Sequence, residues 1–507
     1  MASAPTEFAG RWGLSRAAIA GLVAAEFFIT LDGSAITVAL PTIRDAFDSD
    51  MGVMQWTLVV YLIAGGALAM PFGAMGDRLG RNRVLVAGLL LFLVGSLTTA
   101  AAPTMTVLVL GRALAGAGAS AIGVLALAIL AGGVKQERIP TVVGTWTALT
   151  TAASVLSPAV SGVIVQTMGW RWMFALSAIP ALAVAYVVGR LPEDGSTAEP
   201  SRVDWLGSGI LTVATLLIAG GLNGAVSADS FHPAIAFALG IGVALIAVLV
   251  FQQRRADSGI MDWRPLGRHP IPVLLASRGI VVLVVTGVMF QQTMLLQNGL
   301  GYSPAEAGAM DIPPALTMLL MASLAAPIAR RIGPALTIAV GIWLLAAGLY
   351  GMSRADYDAS LAGLIVSFSV FGIGFGLSSA TLSSAVLASV PGRGMGGLAG
   401  ALSLLGQLAA ALGIAIVGLA VAEWVLGAWA ARGDLTCPGT DLIDNVVGGA
   451  ISEIASECGT QMAALAREAY TDGITDALYA GGVVLVLVGI LVLLTLRSRV
   501  ASVVEDR

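Results

Sequence analysis

Apolar stretches of roughly 18 to 27 residues recur along the chain, separated by short polar or glycine-rich breaks. Each is long enough to cross a bilayer as one helix of about 20 residues. Fourteen such spans are predicted, near residues 15–41, 54–75, 84–102, 105–132, 142–167, 172–190, 204–225, 233–252, 271–297, 305–327, 335–353, 359–388, 397–422 and 475–497. A barrel strand would need only about 10 residues of alternating polarity, so the spanning elements are helices and the fold class is all-α, polytopic and membrane-embedded. Polar stretches at 191–203 and 252–272 divide the spans into six, two and six. The expected organisation is a six-helix bundle over 1–190, two additional helices with cytoplasmic linkers over 191–270, and a second six-helix bundle over 271–507 with a long outer loop at 423–475.

Composition agrees with this pattern. Hydrophobic residues make up 57% of the 507 positions and charged residues 11%, and the mean hydropathy is +0.91. That leaves too little polar surface to solvate a globule of this size. A net charge of -4 and the lack of a basic, aromatic-interleaved segment set nucleic acid aside. The first apolar run contains acids and is too long for a cleaved signal peptide, so it is kept as the first span. With the N-terminus inside, 19 of the 26 Lys and Arg residues fall on the cytoplasmic side and five outside (Arg44, Arg171, Arg354, Arg432, Arg467), while Arg112 and Arg278 lie within spans. This bias places both termini in the cytoplasm of a multi-pass protein of the cytoplasmic (inner) membrane.

Charges inside the spans carry the functional signal. Glu26 and Asp32 both lie in the first span, where a carboxylate costs about 3 kcal/mol on insertion scales, so a use for them is expected: binding a proton, a cation or both. Glu26 is roughly 9 Å deeper than Asp32 and on a different helix face; a structural hydrogen bond is its other reading. Arg112 in the fourth span reaches a depth similar to that of Asp32, roughly 10 Å below the outer surface, which allows the two to interact, although snorkelling to the interface is the alternative. Asp311 is the one acid placed to face a cavity from the second half, unless it is interfacial. Gln291, Gln292, Tyr61 and Trp146 are the polar and aromatic candidates to join Glu26, Asp32 and Asp311 in lining it. The acidic outer loop holds both cysteines, Cys437 and Cys458; facing an oxidising compartment they are expected to form a disulfide, with two free thiols as the alternative. Gly73, Asp77, Arg78, Gly80 and Arg81 crowd a short cytoplasmic turn after the second span, where an acid bound to a neighbouring helix or arginine would act as a conformational latch. An echo of this turn, Ala329-Arg330-Arg331-Ile332-Gly333, follows the second span of the last six. His232 and His269 lie in loops with no paired ligand spacing, nucleophile elbow or phosphate loop, so neither an enzyme nor a metal site is expected.

Four segments resemble a known family. The pattern Gly-x-x-x-Asp-Arg-x-Gly-Arg over Gly73, Asp77, Arg78, Gly80 and Arg81 resembles the loop signature of the major facilitator superfamily. Leu31-Asp32 through Ala39-Leu40-Pro41 is similar to the first-helix signature of its drug:proton antiporters with fourteen spans. Arg112, within Gly111 to Gly118, resembles the family's membrane arginine, implicated there in proton transfer; Ala115 stands where the family often has Gln. Ser157-Pro158-Ala159-Val160-Ser161-Gly162 resembles the antiporter signature Gly-Pro-x-x-Gly-Gly, with Ser157 and Ser161 in place of glycines, and predicts a kink at Pro158. The resemblance implies a major facilitator fold and proton-coupled export of amphipathic, cationic compounds. Protons, substrate and bilayer would be the partners, the chain a monomer, and the proton gradient the energy source with no cofactor. Export of a dedicated endogenous metabolite or lipid, and a non-transporting sensor or scaffold, are the other readings.

Overall fold

The computed structural model describes residues 16–49, 51–132, 153, 156–190, 205–226, 233–255, 271–354, 361–388, 395–432 and 442–505. Regular structure among them is helical throughout: α1 (Arg16–Phe47), α2 (Met51–Leu79), α3 (Arg81–Ala100), α4 (Met105–Gly132), α5 (Leu156–Met168), α6 (Trp170–Val188), α7 (Trp205–Val226) and α8 (Pro233–Arg255). The chain continues with α9 (Ile271–Met294), which ends in a π-turn at Leu295–Gly299, then α10 (Pro304–Met310), α11 (Ile312–Ile332), α12 (Pro334–Met352), α13 (Leu361–Ala388), α14 (Met395–Ala430), α15 (Leu442–Gly448), α16 (Ile451–Cys458) and α17 (Thr460–Glu505).

Among the described residues, ten helices are long and apolar enough to cross a membrane, and twelve if each of two bent helices counts as one span. Leu156–Met168 and Pro233–Leu249 are apolar but shorter, and a count of fourteen needs both. The bends have local causes. The α1 axis turns by 48° between Gly21–Gly33 and Ile36–Phe47, around a Gly33-Ser34 pair, and α2 turns by 45° ahead of Pro71.

Two expected boundaries differ. The tenth span runs as one membrane-length stretch over Pro304–Ile332, but its helix is interrupted at Asp311 into α10 and α11, because Pro313 and Pro314 open a new helix whose first turn needs no N–H there. Most of the described part of 423–475 is helical. Ala463, Ala466, Tyr470, Ile474 and Ala477 repeat at helical spacing and are all buried, so α17 starts at Thr460 and packs well before its membrane-length stretch.

Within the first six helices, α3 and α2 pack on α4, and α6 packs on α3 and α1. In a second group, α9 packs on α14, α13 on α11 and α12, and α17 on α12 and α14. Between them α2 meets α14, and α7 lies against both. The main apolar core crosses the two groups at the end where α1 finishes, joining Ile36 and Ile43 to Leu295, Leu296 and Val446. Toward the opposite end, a separate core of Leu22, Leu85, Leu125 and Val188 belongs to the first group alone. The groups are therefore sealed together at one end, the end at which α1 finishes.

Candidate functional site

Below that seal lies a cavity of about 610 Å³. Helices of both groups line it: Glu26, Tyr61, Leu62 and Ser120 on one side, and Met289, Phe290, Asp311, Phe371, Phe375 and Gln407 on the other. Among the described residues, the acids Glu26 and Asp311 line it and no Lys, Arg or His does, which makes this lining electronegative within aromatic and aliphatic walls. Asp311 accepts a hydrogen bond from Gln292 Nε2 at 2.6 Å, so this amide fixes the carboxylate from behind. Oε2 of Glu26 is buried with no hydrogen-bond partner among the described residues. A proton or a cationic group would compensate it, since an unpaired buried charge is unfavourable.

Beside the cavity sits a buried ion pair. Arg112 Nη1 donates to Asp32 Oδ2 at 2.7 Å, and both side chains are 0% exposed. Ser177 of α6 donates through Oγ to Asp32 Oδ1 at 2.9 Å, and Arg112 Nε donates to the Thr57 carbonyl at 3.3 Å. The guanidinium carbon lies 4.2 Å from the centroid of the Tyr61 ring and 5.4 Å from that of Phe174. Tyr61 thus stacks on the Arg112 guanidinium and also lines the cavity. The six-residue offset along α1 explains the division: Glu26 faces the cavity, while Asp32 turns toward α4 and α6.

The structure brings Glu26, Tyr61 and Asp311 together as cavity walls. It withholds Asp32, Gln291 and Gln292 from that lining: Asp32 is enclosed by Arg112 and Ser177, Gln292 lies behind Asp311, and Gln291 is buried. Trp146 lies outside the described residues. Ser177 and the Thr57 carbonyl were not singled out from the sequence; a serine on α6 at the depth of Asp32 was the available signal.

The remaining expected residues occupy three further places. Arg81 Nη2 donates to Asp77 Oδ1 at 3.0 Å across the α2–α3 turn, a half-exposed i,i+4 pair, and Gly80 turns the chain with φ 98°. Arg78 is exposed and Gly73 packs near Val124. Ser157 Oγ donates to the Leu31 carbonyl at 2.6 Å, tying α5 to α1, and Ser161 Oγ donates to the Ser157 carbonyl at 2.7 Å. Pro158 meets the cavity. A Cβ at Gly162 would overlap the Pro304 carbonyl oxygen and one at Gly308 the Pro158 carbonyl oxygen, so α5 and α10 touch backbone to backbone. Cys458 is disulfide-bonded, and Cys437 lies outside the described residues.

Comparisons with known proteins bear on the family and the fold. A family model described as Major Facilitator Superfamily matches residues 22–414. The Multidrug efflux pump LfrA of Mycolicibacterium smegmatis is 26% identical over 464 residues, covering 90% of this chain and 91% of LfrA. The Drug efflux pump JefA of Mycobacterium tuberculosis is 28% identical over 407 residues, 79% of each chain. Among solved structures, a bacterial homolog of the human lysosomal transporter Spinster, in an inward-facing and unoccupied conformation, superposes with a TM-score of 0.71 at 17% identity and covers 95% of this chain and 96% of its own. That likeness concerns the fold.

Proposed function

We propose that this chain, which belongs to the major facilitator superfamily, exports amphipathic cationic compounds from the cytoplasm in exchange for protons. Members of this superfamily are transporters and not enzymes. The observation that carries the reading is the cavity itself: one carboxyl group from each helix group, aromatic walls, and a buried Asp32–Arg112 pair one tyrosine ring away. The relatives named as drug efflux pumps support export as the direction.

Each part has a physical role. A cationic amphipathic molecule would place its charge against Glu26 or Asp311 and its apolar body against Phe290, Phe371 and Phe375. Burial disfavours the charged form of a carboxyl group, so a proton and a cationic substrate compete to neutralise the same oxygen, and each displaces the other. At the ion pair, protonating Asp32 removes the counter-charge of Arg112, whose guanidinium is stacked on Tyr61. The ring carries that change to the cavity wall.

The two groups of helices would rock as six-helix bundles, with α7 and α8 outside the symmetric core, the Asp77–Arg81 turn serving as an inner latch, and the α5–α10 contact as part of the outer seal. This reading includes fourteen spans in the cytoplasmic membrane, both termini inside, and a monomer that needs no cofactor. Proteoliposomes test it. Adding a cationic dye to the wild type should release protons, and Asp32→Asn and Arg112→Ala should abolish that release; coupling retained in both variants removes the mechanism.

A further inference from the structure

We infer that the short helices α15 and α16 form a strap, carried by the second helix group, that holds the outer end of α1 closed, with Arg44 as its fastening. The matched family region ends at residue 414, so the strap lies beyond it. The inference rests on the two groups alternating between closed and open arrangements, and does not depend on protons or on the class of substrate.

Arg44 lies in the last turn of α1 and is only 8% exposed. Its Nη1 donates to the carbonyl oxygen of Gly448, 404 positions away, and its Nε donates to the Ser49 carbonyl at 3.3 Å. Gly448 is the last residue of α15, so its carbonyl has no partner within that helix, and the guanidinium supplies the missing donor. The turn is built for this approach. A Cβ on Gly448 would stand 2.7 Å from Arg44 Nη2. Gly449 has φ +69°, and a Cβ there would meet Tyr470 at 2.7 Å and Asn298 at 2.9 Å. The Ala450 N–H donates to the Asn445 carbonyl at 2.8 Å and closes the end of α15.

Two further observations join the same surfaces. Gln297 Nε2, in the π-turn that ends α9, donates to the Val38 carbonyl of α1 at 3.1 Å. Val446, Val447, Ile451 and Ile454 of the strap share one buried core with Ile36, Leu40 and Ile43 of α1. Opening the outer end would have to break the Arg44 contact, the Gln297 contact and this apolar layer together. The strap therefore biases the equilibrium toward the arrangement closed at this end.

Gly448→Ala is a selective release, because the added methyl meets the movable tip of Arg44 and leaves the charge in place. Nitroxide labels at Ala46→Cys and Ser456→Cys, both exposed positions flanking the contact, would report separation by pulsed electron resonance on the full-length protein in nanodiscs. Gly448→Ala and Arg44→Gln should each raise the ratio of long-distance to short-distance populations about tenfold, equivalent to about 1.4 kcal/mol. Gly427→Ala, where a Cβ meets nothing within 4 Å, should leave it unchanged. A parental distance distribution in whichever release variant is monodisperse overturns the strap. Because the readout is a distance, failure of the strap is distinct from failure of export: Asp32→Asn can abolish coupling while Gly448→Ala still opens the seam, and the reverse.

Discussion

The Asp32–Arg112 pair has no access to solvent, and its contribution depends on both members being present. Removing one leaves an uncompensated buried charge at a cost of about 3–5 kcal/mol. Asp32→Asn is therefore expected to lower the melting temperature as well as to end substrate-driven proton release, whereas Ser177→Ala removes a single hydrogen bond to a charged acceptor, about 1.5–3 kcal/mol. The expected outcome for Ser177→Ala is folded protein whose dye efflux is slowed about tenfold, read from fluorescence traces at equal expression. In the cavity, Glu26→Gln and Asp311→Asn should weaken cationic dyes about tenfold each while sparing a neutral hydrophobic dye, as measured by competition in efflux assays. Equal loss for cationic and neutral dyes would argue against charge recognition. Asp32, Glu26 and Arg112 stood out in the sequence as candidates because charge inside an apolar span is costly. Ser177 did not, because a serine in a span costs little and only the fold brings α6 against α1.

At the scale of helices, the α5–α10 contact is the most exacting. Gly162 and Gly308 each face a carbonyl oxygen of the other helix, with no room for a side chain. Gly308→Val should separate the two by overpacking at a cost of about 1–3 kcal/mol. The expected result is a proton leak in proteoliposomes without substrate, detected with an interior pH dye; a tight membrane in a folded variant would show that this crossing does not seal. The Pro158 region was legible as a site of close packing, since small residues around a proline allow another helix to approach. Its partner was not, because Gly308 sits 150 positions later, in another span. The helix interruption at Asp311 within an otherwise continuous span, and the early start of α17, were not visible for a related reason: hydropathy over a window of about 20 residues averages out a two-proline restart and a helical stretch that packs ahead of the most apolar part of α17.

For the whole molecule, the expected behaviour is active efflux that stops when a proton uncoupler is added; dye export that persists in its presence would remove the gradient as the energy source. The core is asymmetric, shared by both helix groups at one end and confined to the first group toward the other, so the groups hold together mainly at the end where α1 finishes. The sequence by itself determined that the chain is helical and membrane-embedded, belongs to this superfamily and carries acids in its first span, because the bilayer imposes span length and penalises charge wherever the span later packs. Tertiary structure alone decided which acid faces the cavity, which is locked to Arg112, and that Arg44 meets Gly448. Those pairings depend on how helices distant in the chain rotate and bend against one another, and hydropathy carries no record of that.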